Sequence, residues 1–168
     1  MTDDVTVRQA RGTGSAYPRS MSSVGGSGRG PDDPWTTLHL PFDTAAPRAA
    51  RRHLLDDLTK AGLRDAVIVD AQVVLAELVN NGVEHGEPGP NGTIEISWRI
   101  LDDHLRLSVC DGGSASELRP MELTDDRLRG RGLAIIDQLA DRWTFDATEG
   151  TRITVELDYS TEGAVASD

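Results

Sequence analysis

The sequence predicts an α/β fold of the α+β type, a two-layer sandwich in which three helices cover one face of a mixed, mostly antiparallel sheet. Two stretches of alternating apolar residues, 93–111 and 142–159, are typical of β-hairpins. Three segments before and between them instead repeat apolar residues at the helical spacing. Hairpins with helices between them favour helices packed on one face of an antiparallel sheet.

The composition limits the functions that the chain can have. Its 168 residues suffice for one domain, and the 17 basic and 28 acidic side chains give a net charge of −11. That balance argues against a sequence-independent nucleic-acid surface, which needs dense Lys and Arg. A single cysteine, Cys110, favours a reducing compartment. With neither a signal peptide nor a membrane-spanning run recognised, the chain is expected to be cytoplasmic, with no membrane partner.

The two ends of the chain differ from its middle. Residues 1–34 are rich in Gly, Ser, Arg, Asp and Pro without an apolar period, so we expect them to be disordered. Order should begin at Trp35 and continue through residue 159, and 160–168 should form a flexible tail. Arg and Asp are equally frequent in residues 1–34, so the net negative charge belongs to the folded part.

The folded part begins with a strand and a helix. The segment WTTLHLPF alternates imperfectly, and Pro41 predicts that its strand lies at the edge of the sheet. Thr44 precedes a helix with Pro47 in its first turn, which should end at Gly62.

A second helix, from Asp65 to Gly86, is the stretch around which the fold is organised. At about 100° per residue its polar side chains form one continuous arc that contains no Lys or Arg. Two interpretations stay open from this pattern alone: an ordinary amphipathic surface helix, or a helix that presents acid, amide and imidazole groups to a cleft. The arc consists of Glu77, Asn80, Asn81, Glu84 and His85.

Asp111 ends the second strand of the first hairpin and is followed by Gly112 and Gly113. A carboxylate at a strand end can accept a hydrogen bond from an exocyclic amine while a flat ring lies against bare backbone. A tight turn after the strand is the alternative interpretation.

Residues 112–129 have no clear period and predict a long loop, a length that is usually functional inside a compact domain. Gly130 and Gly132 then open the third helix, whose free N–H groups could hold a phosphate, although a lone GxG is weak evidence. The turn at 149–151 leads into the last strand.

Taken together, ELVNNGVEHG, CDGGSA, GRGLAIID and EGTRITVEL, in this order, resemble the Bergerat-fold (GHKL, histidine-kinase-like) ATP-binding domain. Within that superfamily the chain is similar to the small stand-alone anti-sigma-factor serine/threonine kinases of Gram-positive and actinobacterial regulation. The resemblance covers residues 35–159. It implies ATP and Mg²⁺ as cofactors.

The resemblance also implies site residues. Glu77 matches the acid that orients or deprotonates the attacking hydroxyl, and Asn81 matches the amide that ligates Mg²⁺. His85 closes the motif near the nucleotide. Asp111 matches the aspartate that receives the adenine amino group. The other matched positions are Gly113 beside the ring, Gly130, Arg131 and Gly132 at the phosphate-side turn, and Thr151 near the adenine.

The resemblance further implies that the long loop is an ATP lid. Arg127, Arg129 or Arg131 could reach a γ-phosphate, and the sequence does not choose among them. Asn80 stands where the family more usually has Thr. Ala115 stands where the family often has glycine in DxGxG, and its narrower backbone freedom could change how the lid hinges.

Two functions follow from the resemblance. One is a kinase that transfers the γ-phosphoryl of ATP to a small anti-sigma-factor antagonist and also binds a sigma factor. The other is a non-catalytic, ATP-dependent protein-binding module. No direct nucleic-acid contact is expected. Homodimers are common in the family, but no stretch of this sequence identifies an interface.

Overall fold

A computed structural model describes residues 6–9, 35–113 and 131–159. The described strands form one six-stranded sheet in which every pair of neighbours is antiparallel. In chain order the elements are β1 Thr6–Gln9, β2 Thr36–Pro41, α1 Ala46–Lys60, α2 Asp65–His85, β3 Thr93–Ile100, β4 His104–Asp111, α3 Arg131–Leu139, β5 Arg142–Asp146 and β6 Thr151–Asp158. The strand order across the sheet is β1-β5-β6-β4-β3-β2. The predicted fold class is confirmed, and every described strand pair is antiparallel where we expected a mixed, mostly antiparallel sheet.

Strand β1 lies within the segment that we expected to be disordered. Its four residues pair with β5, from Thr6 opposite Phe145 to Gln9 opposite Arg142. The expectation of disorder therefore does not hold for Thr6–Gln9. Residues 1–5, 10–34 and 160–168 lie outside the described residues.

The first two helices begin and end close to the predicted positions. Pro47 lies in the first turn of α1, where a missing N–H leaves no hydrogen bond unmade. Gly62 follows the end of α1 with a φ of 74°, a left-handed conformation that glycine adopts without strain. Strand β2 pairs only with β3 among the described strands, so Pro41 is on an edge strand as expected.

The inner face of the sheet forms the core together with the helices. Alternate residues of β3 and β4 point toward α2 and are almost fully buried, which explains the period of two in their sequence. Helix α2 packs against α1, α3, β3 and β4. The inward-facing core residues of β3 and β4 are Ile94, Ile96, Trp98, Leu105, Leu107 and Val109.

The outer face of the sheet carries charged side chains instead. Glu156 of β6 accepts hydrogen bonds from both Arg106 and Arg142, and Arg152 bonds to Glu95 at 2.8 Å. Burial alone would raise the pKa of Glu156, but the hydrogen bond from Arg142 and the charges of Arg106 and Arg142 lower it overall. The two faces thus separate an apolar packing layer from a paired ionic layer.

Helix α2 is long and apolar enough, by length and composition, to cross a membrane. Core helices of globular proteins pass the same test, and one side of α2 is buried against the sheet while the opposite side carries the polar arc. We therefore assign α2 to the core of the domain. Its buried residues are Ile68, Ala71, Val74, Leu75, Leu78, Val79 and Gly82.

Candidate nucleotide-binding site

Three members of the polar arc of α2 are directed away from α1. Gln72 marks the side of α2 that contacts α1, because its side chain donates to the backbone oxygen of Arg51. At about 100° per residue, Asn81 lies about 180° around the helix from Gln72, and Glu77 and His85 lie within about 40° of Asn81. Helix α3 also packs on α2. These three side chains thus line one strip of α2, pointing away from α1.

The members of this strip are only partly buried. Glu77 and Asn81 are half-buried, and neither side chain bonds to another residue within the described ranges. His85 is about half exposed, and its Nε2 lies 3.7 Å from Glu84 Oε2. Asn80 falls about 80° from Gln72, on the side nearer α1. The assignment of Asn81, and not Asn80, as the metal ligand stays a prediction.

Asp111 ends β4 on the inner face of the sheet and is 8% exposed. Its Oδ1 accepts the backbone N–H of Gly113 at 2.7 Å, and the backbone N–H of Glu87 also donates to its carboxyl group. Burial raises the pKa of Asp111, while these two hydrogen bonds lower it in part. The result is a buried, acceptor-rich group held by two backbone donors.

Glycines surround this carboxyl group closely. A β-carbon at Gly113 would lie 2.8 Å from Asp111 Oδ1 and 3.1 Å from Thr151 Oγ1. A β-carbon at Gly86 would overlap the other side of the same carboxyl group. From the sequence, Gly86 is expected only to end α2. Its contact with Asp111 needs the packing of α2 on β4, which no local sequence signal contains.

Thr151 is the residue directly opposite Asp111 in the register of β4 and β6. It is buried, and its Oγ1 has no hydrogen-bond partner among the described residues. A buried hydroxyl normally has a partner, so an unsatisfied one beside Asp111 fits a bound ring nitrogen or an ordered water. The group that Asp111, Gly113 and Thr151 form is therefore suited to adenine.

The residues that we expect on the phosphate side are described only in part. Arg131 and Gly132 are the first two residues of α3, which is where the glycine-rich turn was expected to enter a helix. The side chain of Arg131, and all of Gly130, Arg127, Arg129 and Ala115, lie outside the described residues. The choice of lid arginine stays a prediction.

A metal ion at this site would depend on few protein ligands. Among residues 6–9, 35–113 and 131–159, no group of three or more His, Cys, Asp or Glu side chains could hold one. Mg²⁺ is commonly bound by one or two protein groups plus substrate phosphates and water. Asn81 is thus compatible with a metal that arrives with the nucleotide.

A cleft of about 710 Å³ opens beside this site, and Asp111 and Gly112 form part of its wall. Its wall includes Glu95, Cys110 and Arg152, which occupy one transverse row of the sheet and point away from α2. Burial raises the pKa of Cys110, which favours the protonated, unreactive thiol. The strip of α2 lies on the opposite, helix-covered face of the sheet.

Comparison with known proteins agrees with this geometry. Residues 40–157 match the model of the histidine kinase-like ATPase domain. Over 131 residues the chain is 28% identical to the serine-protein kinase RsbW of Listeria innocua, covering 71% of this chain and 83% of that protein. It is also 28% identical to serine-protein kinase RsbW of Staphylococcus aureus, covering 70% and 82%.

The fold is found in a solved structure as well. The crystal structure of the RsbU and RsbW domains of Rv1364c from Mycobacterium tuberculosis superposes with a TM-score of 0.55 at 24% identity. The match covers 76% of this chain but only 32% of that one. This likeness shows a shared fold. Since the family match spans most of its length, the chain belongs to the histidine kinase-like ATPase domain family.

Proposed function

We propose that the protein is an ATP-dependent serine/threonine kinase of the anti-sigma-factor type, which transfers the γ-phosphoryl group of ATP to a small antagonist protein. The observation that carries this proposal is the strip of α2 on which Glu77 and Asn81 lie one helical turn apart. A domain that only binds nucleotide needs no carboxylate beside its metal ligand. Family membership and the similarity to serine-protein kinases support the same conclusion.

In this proposal the adenine end holds the nucleotide. The carboxylate of Asp111 accepts a hydrogen bond from the adenine amino group. The Thr151 hydroxyl bonds to the ring directly or through a water. Gly113 leaves room for the ring to lie against the backbone. The buried carboxylate is the strongest acceptor in this group, so it should supply most of the base recognition.

The phosphate end performs the transfer. Asn81 would hold Mg²⁺, which neutralises phosphate charge when it is bound. Glu77 accepts a hydrogen bond from the Ser or Thr hydroxyl of the antagonist and orients it. The hydroxyl oxygen forms a bond to the γ-phosphorus, the bond from that phosphorus to the β–γ bridging oxygen breaks, and the hydroxyl proton passes to Glu77. Positioning and charge neutralisation account for most of the rate in such transfers.

The second candidate is a non-catalytic, ATP-dependent protein-binding module. It is favoured by Ala115, which replaces a glycine of the lid hinge. In this case bound ATP would determine the conformation of the lid. The lid conformation would in turn determine the surface that a partner protein contacts. The same adenine end serves both functions, so the difference lies in Glu77.

The expected partners follow from the kinase proposal. They are an anti-sigma-factor antagonist, a sigma factor and a second copy of this chain, with no direct contact to nucleic acid or membrane. The net charge of −11 supports the absence of nucleic acid. We place the protein in the cytoplasm, where ATP and the transcription machinery are found.

The test begins with calorimetric titration of ATP into the purified protein, with and without Mg²⁺. We expect binding that Mg²⁺ strengthens. Transfer of label from [γ-³²P]ATP to serine or threonine of candidate antagonist proteins then separates the two functions. Binding without any transfer would favour the module. No binding at millimolar ATP would contradict both candidate functions.

A further inference from the structure

We propose that the connection between α2 and β3, residues 86–89, is the positioning element that sets the base selectivity of this domain. It does so by fixing the carboxyl group of Asp111 through Gly86 and Glu87. The inference rests on the proposed nucleotide function and adds to it the residues that make Asp111 selective.

The 86–89 connection bonds to the end of β4 in both directions. The backbone N–H of Glu87 donates to the Asp111 carboxyl group, and the backbone oxygen of Glu87 accepts the N–H of Gly112 at 2.7 Å. A β-carbon at Gly112 would overlap the backbone oxygen of Pro88, so the two backbones are in direct contact. One peptide segment therefore holds both the main chain and the side chain at the end of β4.

Gly86 restricts the Asp111 carboxyl group sterically. Its φ of −92° and ψ of −167° are extended values that any residue adopts, so the backbone itself does not require glycine. What excludes a side chain is the space, because a β-carbon would overlap the Asp111 carboxyl group and lie 2.6 Å from the backbone oxygen of Gly82. Gly86 is thus a contact surface for the carboxylate.

Such a clamp would make the carboxylate selective. An ionised carboxyl group accepts hydrogen bonds only, and two of its acceptor positions are taken by Gly113 and Glu87. Because rotation of the Asp111 carboxyl group is restricted, its remaining acceptor lone pairs point in a fixed direction. A 6-amino purine donates to them, whereas a 6-oxo purine presents a second acceptor and leaves the buried carboxylate unsatisfied.

The test compares ATP with inosine triphosphate, which carries oxygen in place of the 6-amino group. Titration of each nucleotide into the full chain gives a ratio of affinities, which we expect to be about 10- to 100-fold in favour of ATP in the wild type. Gly86→Ala should lower the affinity for ATP about tenfold and change the affinity for inosine triphosphate by less than about threefold, so the ratio of the two affinities approaches one. A purely structural defect would weaken both nucleotides equally.

Gly82→Ala is the matched control. It adds the same methyl group one turn earlier on the same side of α2, against the flexible end of Ile94 and 3.9 Å from Asp111 Oδ2. We expect it to keep the wild-type ratio. A double-mutant cycle adds a second control, because Gly86→Ala should have no further effect on ATP affinity in an Asp111→Asn background.

If Gly86→Ala does not fold, replacing Glu87 by its α-hydroxy acid substitutes an ester oxygen for the backbone N–H that donates to Asp111. This variant should also lower the ratio. An unchanged ratio in a folded Gly86→Ala or Glu87 ester protein would overturn the inference. A wild type that binds neither nucleotide would instead contradict the proposed function, so the two failures are distinguishable.

Discussion

The proposed adenine end and the proposed phosphate end of the site are built in different ways. Asp111 is buried, held by two backbone N–H groups, and enclosed by glycines from α2 and from the chain beyond β4. Glu77 and Asn81 are half-buried side chains on one helix and make no hydrogen bond within the part of the chain described. The end at Asp111 is held in place by backbone contacts. The end at Glu77 and Asn81 instead consists of side chains that become ordered when a ligand binds.

This difference indicates which step each end controls. A group fixed by backbone hydrogen bonds is already oriented before the nucleotide arrives, so it contributes mainly to affinity and base selectivity. Side chains without fixed partners become ordered when the metal, the phosphates and the acceptor hydroxyl are present, so they contribute mainly to transfer. Variants at the two ends should therefore change different measured quantities.

The largest effect is expected at the phosphate end. Glu77→Gln keeps the shape of the side chain but removes the group that accepts the proton, so transfer should fall by about 10²- to 10⁴-fold. ATP affinity should stay within about twofold of the wild type. The measurement is single-turnover transfer from ATP to the antagonist, alongside titration of ATP. Glu84→Gln on the exposed side of α2 is the matched control, and equal loss in both variants would remove Glu77 from its role.

At the adenine end, Asp111→Asn should weaken ATP binding by roughly 10- to 150-fold, the range for a buried hydrogen bond to a charged group. The amide has only one acceptor oxygen for the donors that the carboxylate receives. Calorimetric titration measures the change, with Asp102→Asn in the exposed β3–β4 turn as control. If ATP affinity is unchanged, Asp111 does not read the base.

An intermediate effect is expected at Asn81. Asn81→Ala should remove most of the strengthening of ATP binding by Mg²⁺, roughly tenfold, a size typical of losses at metal sites. Affinity in the absence of Mg²⁺ should change little. Asn80→Ala is the control, since Asn80 lies on the side of α2 nearer α1. Loss of the Mg²⁺ effect in Asn80→Ala instead would exchange the two assignments.

The sequence predicted the parts of this architecture that local patterns encode. The bounds of α2, the edge position of β2 and the strand end at Asp111 follow from the helical period, proline and alternation. Strand β1 could not be predicted in this way, because four residues carry no usable period and their order depends on pairing with β5. The contact of Gly86 with Asp111 was missed for a related reason, since packing between α2 and β4 alone creates it.

The smallest effect concerns the stability of the nucleotide-free protein. Burial raises the pKa of Asp111 above its ordinary 3.8, and its two backbone hydrogen bonds offset only part of this. A carboxyl group with a raised folded-state pKa stabilises the fold fully below its unfolded pKa, and this stability is lost as pH rises through the folded pKa.

Urea unfolding of wild type and Asp111→Asn between about pH 4 and about pH 7 measures this effect. The wild type should lose free energy of unfolding relative to the variant as pH rises, and the difference should become constant above the folded pKa. A difference that is independent of pH would contradict a raised folded-state pKa of Asp111. The expected trend would mean that the carboxylate needed to read adenine is also a group that weakens the empty fold. ATP binding requires the ionised carboxylate. It would therefore restore the free energy of unfolding that burial of this charge removes.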